Sequence, residues 1–184
     1  MELLVAGENV EPALLAEIST LGHPPRVIGV FRRSDLPREL PDVGLALWHV
    51  GDPGNVGTLI RSADAFGPAF VAISAGSADP TGPKALRASM GALFRVPLCS
   101  FDDAPGRRIA LVPRGGRPLD ELVLSGPTAF VLGAEREGLP EDVLAHCDEQ
   151  ATIPLASDAD SLNVGVAGAI ALYELARRRR ATTS

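Results

Sequence analysis

Lysine is almost missing from this chain. Of its 17 basic side chains only Lys84 is a lysine, and with the abundance of alanine this reads as a genomic bias more than a function. Aromatic residues are scarce as well. The two cysteines, Cys99 and Cys147, come without a secretory leader, which predicts reduced thiols in a cytosolic protein rather than a disulfide framework. The three histidines are scattered at His23, His49 and His146, so no ligand cluster forms and no metal is expected. No basic n-region leads into an apolar h-region at the start of the chain, and the longest apolar run falls short of the roughly 18 residues of a membrane span. These absences predict a soluble cytoplasmic protein with no membrane partner. Neither a G-x-G-x-x-G nor a Gly-Lys-Ser/Thr loop occurs, which weakens a dinucleotide fold and nucleotide hydrolysis. The net charge of −6 argues mildly against nucleic acid bound over the whole surface; a local basic patch stays open.

What is present is ordinary for a globular chain: 184 residues, 46% hydrophobic and 22% charged, enough for one full domain and a small appendage. Sixteen prolines and nineteen glycines imply many loops. Residues 1 to about 40 form an opening segment, with helical spacing over Glu8 to Leu21, a strand over Arg26 to Phe31, and a linker over Arg32 to Pro41. A segment of that size cannot bury a core of its own and must lean on the domain C-terminal to it or on a second subunit.

From Val43 onward short apolar runs alternate with helical patterns. Strands are expected near Leu45 to Val50, Ala69 to Ser74, Phe94 to Leu98, Ile109 to Pro113, Ala129 to Gly133 and Ala151 to Leu155. Helices fall at Val56 to Phe66, Lys84 to Met90, Pro140 to Cys147 and Leu162 to Arg179. This alternation predicts an α/β fold, a mostly parallel sheet with helices on both faces. The last helix carries only Glu174 as a charge between Leu162 and Ala176, so it should sit inside protein on nearly every side. Gly165, Gly168 and Ala169 give it a surface that another backbone can approach closely.

Ligands of open parallel sheets bind at the carboxyl ends of strands, and three polar, glycine-bearing segments fall there. In GDPGNVGTLIRSADAFG (51–67), Asn55 can hydrogen-bond and Arg61 has apolar neighbours, so it is either a solvated helix arginine or an inward-looking one. In LGAEREGLP (132–140), Glu135 is either a surface acid beside Arg136 and Glu137 or a carboxylate that orients an arginine as a bidentate partner. In IPLASDADSLNVGVAGAIALYELARRRR (153–180), Ser161 and Asn163 stand where a loop meets the helix; Ser161 alone would read as the N-cap.

Together the three segments resemble the SpoU (TrmH-type) RNA ribose methyltransferases of the SPOUT superfamily. NVGTLIRSADAFG resembles the family's first motif, LGAEREGLP its second and IPLASDADSLNVGVAGAIALYE its third; RASMGALFRVPL (87–98) resembles the segment between the first and second. The likeness spans about Val43 to Arg180. It implies a C-terminal trefoil knot that sequence periodicity would never suggest, S-adenosylmethionine as cofactor, and a homodimer. By position Leu132, Gly133, Ile153, Leu155 and Leu162 would hold the cofactor, and Asn55, Arg61, Glu135, Ser161 and Asn163 match the polar active-site set. HPPRVIGVFRR (23–33) is similar to the end of the ribosomal-protein-like domain of rRNA-directed members, of which only the last third would be present. This divides the chain into 1–40 and a knotted domain, 41–184, and favours rRNA over tRNA as partner.

The implied reaction is methyl transfer to a ribose 2′-hydroxyl. Arg61 would serve the hydroxyl as base or electrostatic anchor, oriented by Glu135 and Asn55, while Ser161 and Asn163 shape the pocket. A catalytically silent RNA-binding protein of this fold and an unrelated α/β nucleotide-binding enzyme are the alternatives.

Overall fold

Proline sets where three of the helices begin, because its fixed φ suits the first turn and its missing N–H is one the helix could not use. They are α1 (Pro12–Ile18), α2 (Pro53–Phe66) and α3 (Pro83–Ser89). The computed structural model describes residues 2–19, 22–156 and 161–183. These fall into two units that divide after Leu36.

In the first unit β1 (Glu2–Val5) pairs antiparallel with β2 (Val27–Val30), Glu2 opposite Val30, with α1 between them in sequence. The helix is shorter than its apolar spacing predicted. Asn9 accepts from Val5 N at 2.7 Å and donates to Leu3 O at 2.8 Å, tying a turn that holds the chain out of helix until Pro12. The expected last residues, Thr20 and Leu21, lie outside the described residues.

The second unit is built on seven strands: β3 (Val43–Leu47), β4 (Phe70–Ile73), β5 (Leu98–Ser100), β6 (Arg107–Leu111), β7 (Arg117–Pro118), β8 (Thr128–Leu132) and β9 (Glu149–Thr152). Their order is β5-β4-β3-β8-β6-β9-β7, and every pairing is parallel. Helices α4 (Glu141–Ala145) and α5 (Val164–Thr183) complete the unit. One expected strand is displaced. Met90 and Gly91 both take positive φ and turn the chain, Ala92–Phe94 coils into a 3-10 turn, and the strand starts only at Leu98, after Pro97. The two-residue β7 was too short to leave an apolar pattern. Late strands insert between earlier ones: β8 between β3 and β6, β9 between β6 and β7.

Strand alternation sorts the core into two layers. On one face Ala46, Phe70, Ala72, Ala129 and Val131 pack with Phe101, Ala104 and Val143. On the other, α5 crosses so close that a Cβ on Gly168 would stand 2.3 Å from Leu59 of α2 and about as near as contact allows to Leu132 and Leu45. The small-residue surface of α5 is therefore matched by α2 and the sheet. Burying side chains such as Phe70, Phe130, Leu59 and Leu132 contributes about 1.5–3 kcal/mol each.

Within a single copy of the chain α5 is enclosed only in part. Val164, Ala171, Leu172 and Leu175 are buried, but Val166 and Tyr173 are each 47% exposed, because one copy of the chain covers only one side of the helix. Farther along, Glu174 pairs with Arg177 and Arg178, and Arg178 also donates to the carbonyls of Leu119, Asp120 and Leu122. That contact fastens α5 to the segment after β7.

Candidate active site

The β8 strand ends at Leu132 and the chain turns at once over Gly133. A Cβ there would meet the backbone carbonyl carbon of Gly138 at 2.2 Å, so no side chain fits. Gly138 has φ +69°, its N–H donates to Ala134 O at 3.0 Å, and Ala134 and Gly138 bridge antiparallel. Residues 135–137 thus form the tip of a loop whose base is closed, and Glu135 points from that tip toward the β3–α2 loop.

The Glu135 carboxylate collects three donors: Gly51 N at 3.3 Å, Asp52 N at 3.2 Å and Asn55 Nδ2 at 3.0 Å. Asn163 Nδ2 then donates to Asn55 Oδ1 at 3.1 Å. One hydrogen-bonded chain, Glu135–Asn55–Asn163, joins the three sequence segments. Partial burial raises the pKa of Glu135, but the hydrogen bonds from Asn55 and from the backbone of Glu135, Asp52 and Gly51 outweigh it, and the carboxyl stays below its ordinary range. Asp52 caps α2 by accepting from Asn55 N at 3.0 Å. The Lys84 ammonium, 2.6 Å from its other oxygen, holds its pKa low, helped by the Asn55 backbone.

Beside this chain opens a cleft of about 550 Å³. Its walls are apolar: Leu111, Val112 and Pro113 from the end of β6, Leu132 and Gly133 from β8, Ile153 and Leu155 beyond β9, and Leu162 ahead of α5. Glu135, Arg136, Ser161 and Asn163 supply polar groups at its edge. The cleft has the size and lining of a small-molecule site, with backbone N–H and C=O groups at loop ends to read a ligand's edge. An adenine nucleoside cofactor fits such a lining.

The structure gathers all five expected cofactor positions, Leu132, Gly133, Ile153, Leu155 and Leu162, around one cleft, with Glu135, Ser161 and Asn163 on its rim and Asn55 one hydrogen bond behind. One expectation is corrected, and the reading of Ser161 as a lone cap falls away. Arg61 is not oriented by Glu135 and Asn55: it lies six residues beyond Asn55, about 9 Å farther along the helix axis, is exposed, and makes no hydrogen bond or ion pair among the described residues. The nearer N–H groups of the β3–α2 loop occupy the carboxylate instead. Ser161 is not the N-cap of α5. Asn163 is, accepting from Gly165 N at 2.9 Å and Val166 N at 3.3 Å. Residues 157–160 of the third segment lie outside the described residues. Leu111, Val112 and Pro113 were not expected at the site; an apolar strand closed by a proline at a carboxyl edge was the available signal.

Known proteins resemble this chain over most of its length. A Synechocystis protein described as an uncharacterized tRNA/rRNA methyltransferase is 32% identical, over 98% of this chain and 69% of its own length. The chain spans about half the length of the mycobacterial relatives it also matches. Among solved structures, an AdoMet-bound rRNA methyltransferase from Sinorhizobium meliloti superposes with a TM-score of 0.76 at 29% identity, covering 90% of this chain and 69% of that one. A structure described as an RNA 2′-O ribose methyltransferase superposes with a TM-score of 0.73 at 30% identity, covering 92% and 70%. The family model for the SpoU rRNA Methylase family matches residues 42–173, most of the second unit, and the chain belongs to that family.

Proposed function

We propose that the chain is an S-adenosylmethionine-dependent RNA methyltransferase acting on a ribose 2′-hydroxyl, with rRNA favoured over tRNA as substrate. The observation that carries this reading is the convergence of three distant segments on one cleft: apolar walls from Leu132, Ile153, Leu155 and Leu162, and the Glu135–Asn55–Asn163 chain at its edge. The 2′-O assignment is supported by the neighbour of that description, and the cofactor by the AdoMet-bound neighbour. Insertion of β8 and β9 between earlier strands supports a trefoil knot in which the β8–Gly133 turn meets Ile153, Leu155 and Leu162.

When bound, S-adenosylmethionine supplies the methyl group. The chain's part is to position and to stabilise charge. Glu135, held as a carboxylate by its N–H donors, fixes the β3–α2 loop and Asn55. Asn163 links that loop to α5, and Ser161 offers a hydroxyl at the cleft edge. Arg61 brings a planar guanidinium fork and stabilises the negative charge that develops on the ribose oxygen. Its exposure on α2, together with the exposed Val166 and Tyr173 of α5, supports a homodimer in which these residues are covered and Arg61 completes a site with the second copy.

Calorimetric titration with S-adenosylmethionine and S-adenosylhomocysteine tests the assignment. Binding of both without added metal is expected, with about 2.7 kcal/mol of added stability at 100 times the dissociation constant. No heat and no melting shift with either would overturn it.

A further inference from the structure

Among the described residues, sixteen line the cleft, and Arg136 is the only cation in that set. It follows Glu135 at the tip of the loop closed by Ala134 and Gly138, so its backbone position is set by the same bridge that aims Glu135. Glu135 is committed to Gly51, Asp52 and Asn55, whereas Arg136 makes no hydrogen bond or ion pair among the described residues. The other polar side chains on the lining are neutral: Asn163, whose amide already donates to Asn55, and Ser161. A ligand that brings a carboxylate into this cleft therefore finds one group able to neutralise it. The guanidinium fork suits a carboxylate because it donates two parallel N–H bonds to the two oxygens.

We propose that Arg136 binds the amino-acid carboxylate of the nucleoside cofactor, so that the apolar walls select the adenosine end and Arg136 the amino-acid end. The inference rests on the reading that S-adenosylmethionine occupies the cleft. It makes Arg136 a specificity residue: it separates the full cofactor from adenosine thioethers that lack the acid group.

The test is calorimetric and needs no turnover. The parent, Arg136→Ala and Arg136→Lys are each titrated with S-adenosylhomocysteine and with its decarboxylated analogue, S-adenosyl-3-thiopropylamine, which keeps the amine and lacks only the carboxylate. Arg136→Ala should bind S-adenosylhomocysteine about 10- to 100-fold more weakly, the size of a lost charge-assisted hydrogen bond, and bind the decarboxylated analogue as the parent does. Arg136→Lys should recover part of the loss, since it restores charge but not the fork. Because the side chain is exposed, all three should melt alike. Unchanged affinity for S-adenosylhomocysteine, or an equal loss for both compounds, overturns the proposal, as does a loss confined to RNA affinity, which would make Arg136 a phosphate contact. A parent that binds neither compound overturns the cofactor reading itself, an outcome distinct from the others.

Discussion

The Asn163 side chain joins two helix starts: its Oδ1 caps α5 while its Nδ2 donates to Asn55 Oδ1 at 3.1 Å, across 108 residues of sequence. A single amide therefore ties the last helix to the first turn of α2 and, through Asn55, to Glu135. Asn163→Ala removes both roles. Loss of an N-cap costs about 0.5–2 kcal/mol, and urea unfolding should show a loss of that size. A variant as stable as the parent would mean that the cap carries no weight.

Gly133→Ala and Gly168→Ala separate two kinds of close approach. At Gly133 the obstacle is backbone, the Gly138 carbonyl at 2.2–2.3 Å; at Gly168 it is the end of the flexible Leu59 side chain. The first should cost about 1–3 kcal/mol and displace the loop that carries Glu135, and the second should cost less. Thermal melts of both variants check the order, and the reverse order contradicts the geometry.

Glu174 predicts an acid limb of the stability curve. The hydrogen bond from Arg177, helped by Arg178 and opposed by partial burial, holds its carboxyl down to about 2. A depressed folded pKa stabilises fully above the ordinary value near 4.5 and loses that contribution as the pH falls toward 2. Parent and Glu174→Gln should therefore differ most in urea midpoint at about pH 6–7, differ less by about pH 3, and converge only as the pH falls below about 2. A difference that does not depend on pH would refute the ion-pair account.

Both thiols should be sluggish. Burial, with Asp103 nearby, raises Cys99 to about 11, and burial raises Cys147 as well. Since the thiolate is the reactive form, alkylation of the native protein at about pH 7.5 should be far slower than in urea. Equal rates would show the thiols to be open to solvent.

Much of this was legible because the physics is local. Apolar runs bounded by proline and glycine gave the parallel sheet and its helices to within a few residues. The glycines of α5 gave its close packing, and the polar loops at strand ends gave the cleft. What was not legible depends on competition at a distance. Glu135 had two kinds of partner within reach, and only the folded chain decides for the Gly51 and Asp52 N–H groups over Arg61. Likewise Ser161 and Asn163 both stood near the start of α5, and it is the start of the helix at Val164 that puts Asn163 at the cap. The strand order, with β8 and β9 inserted between earlier strands, leaves no trace in any single segment.

Methyl transfer to a ribose oxygen of RNA is the reaction proposed for this cleft and its polar edge. The decisive measurement incubates the protein with methyl-labelled S-adenosylmethionine and unmodified rRNA and tRNA, digests the RNA to nucleosides, and locates the label by mass spectrometry. Label is expected on the ribose of a 2′-O-methylnucleoside, at a rate about 10²- to 10³-fold lower for Arg61→Ala although that variant binds the cofactor normally. Label on a base, or none in either RNA from a protein that binds the cofactor, would contradict the assignment.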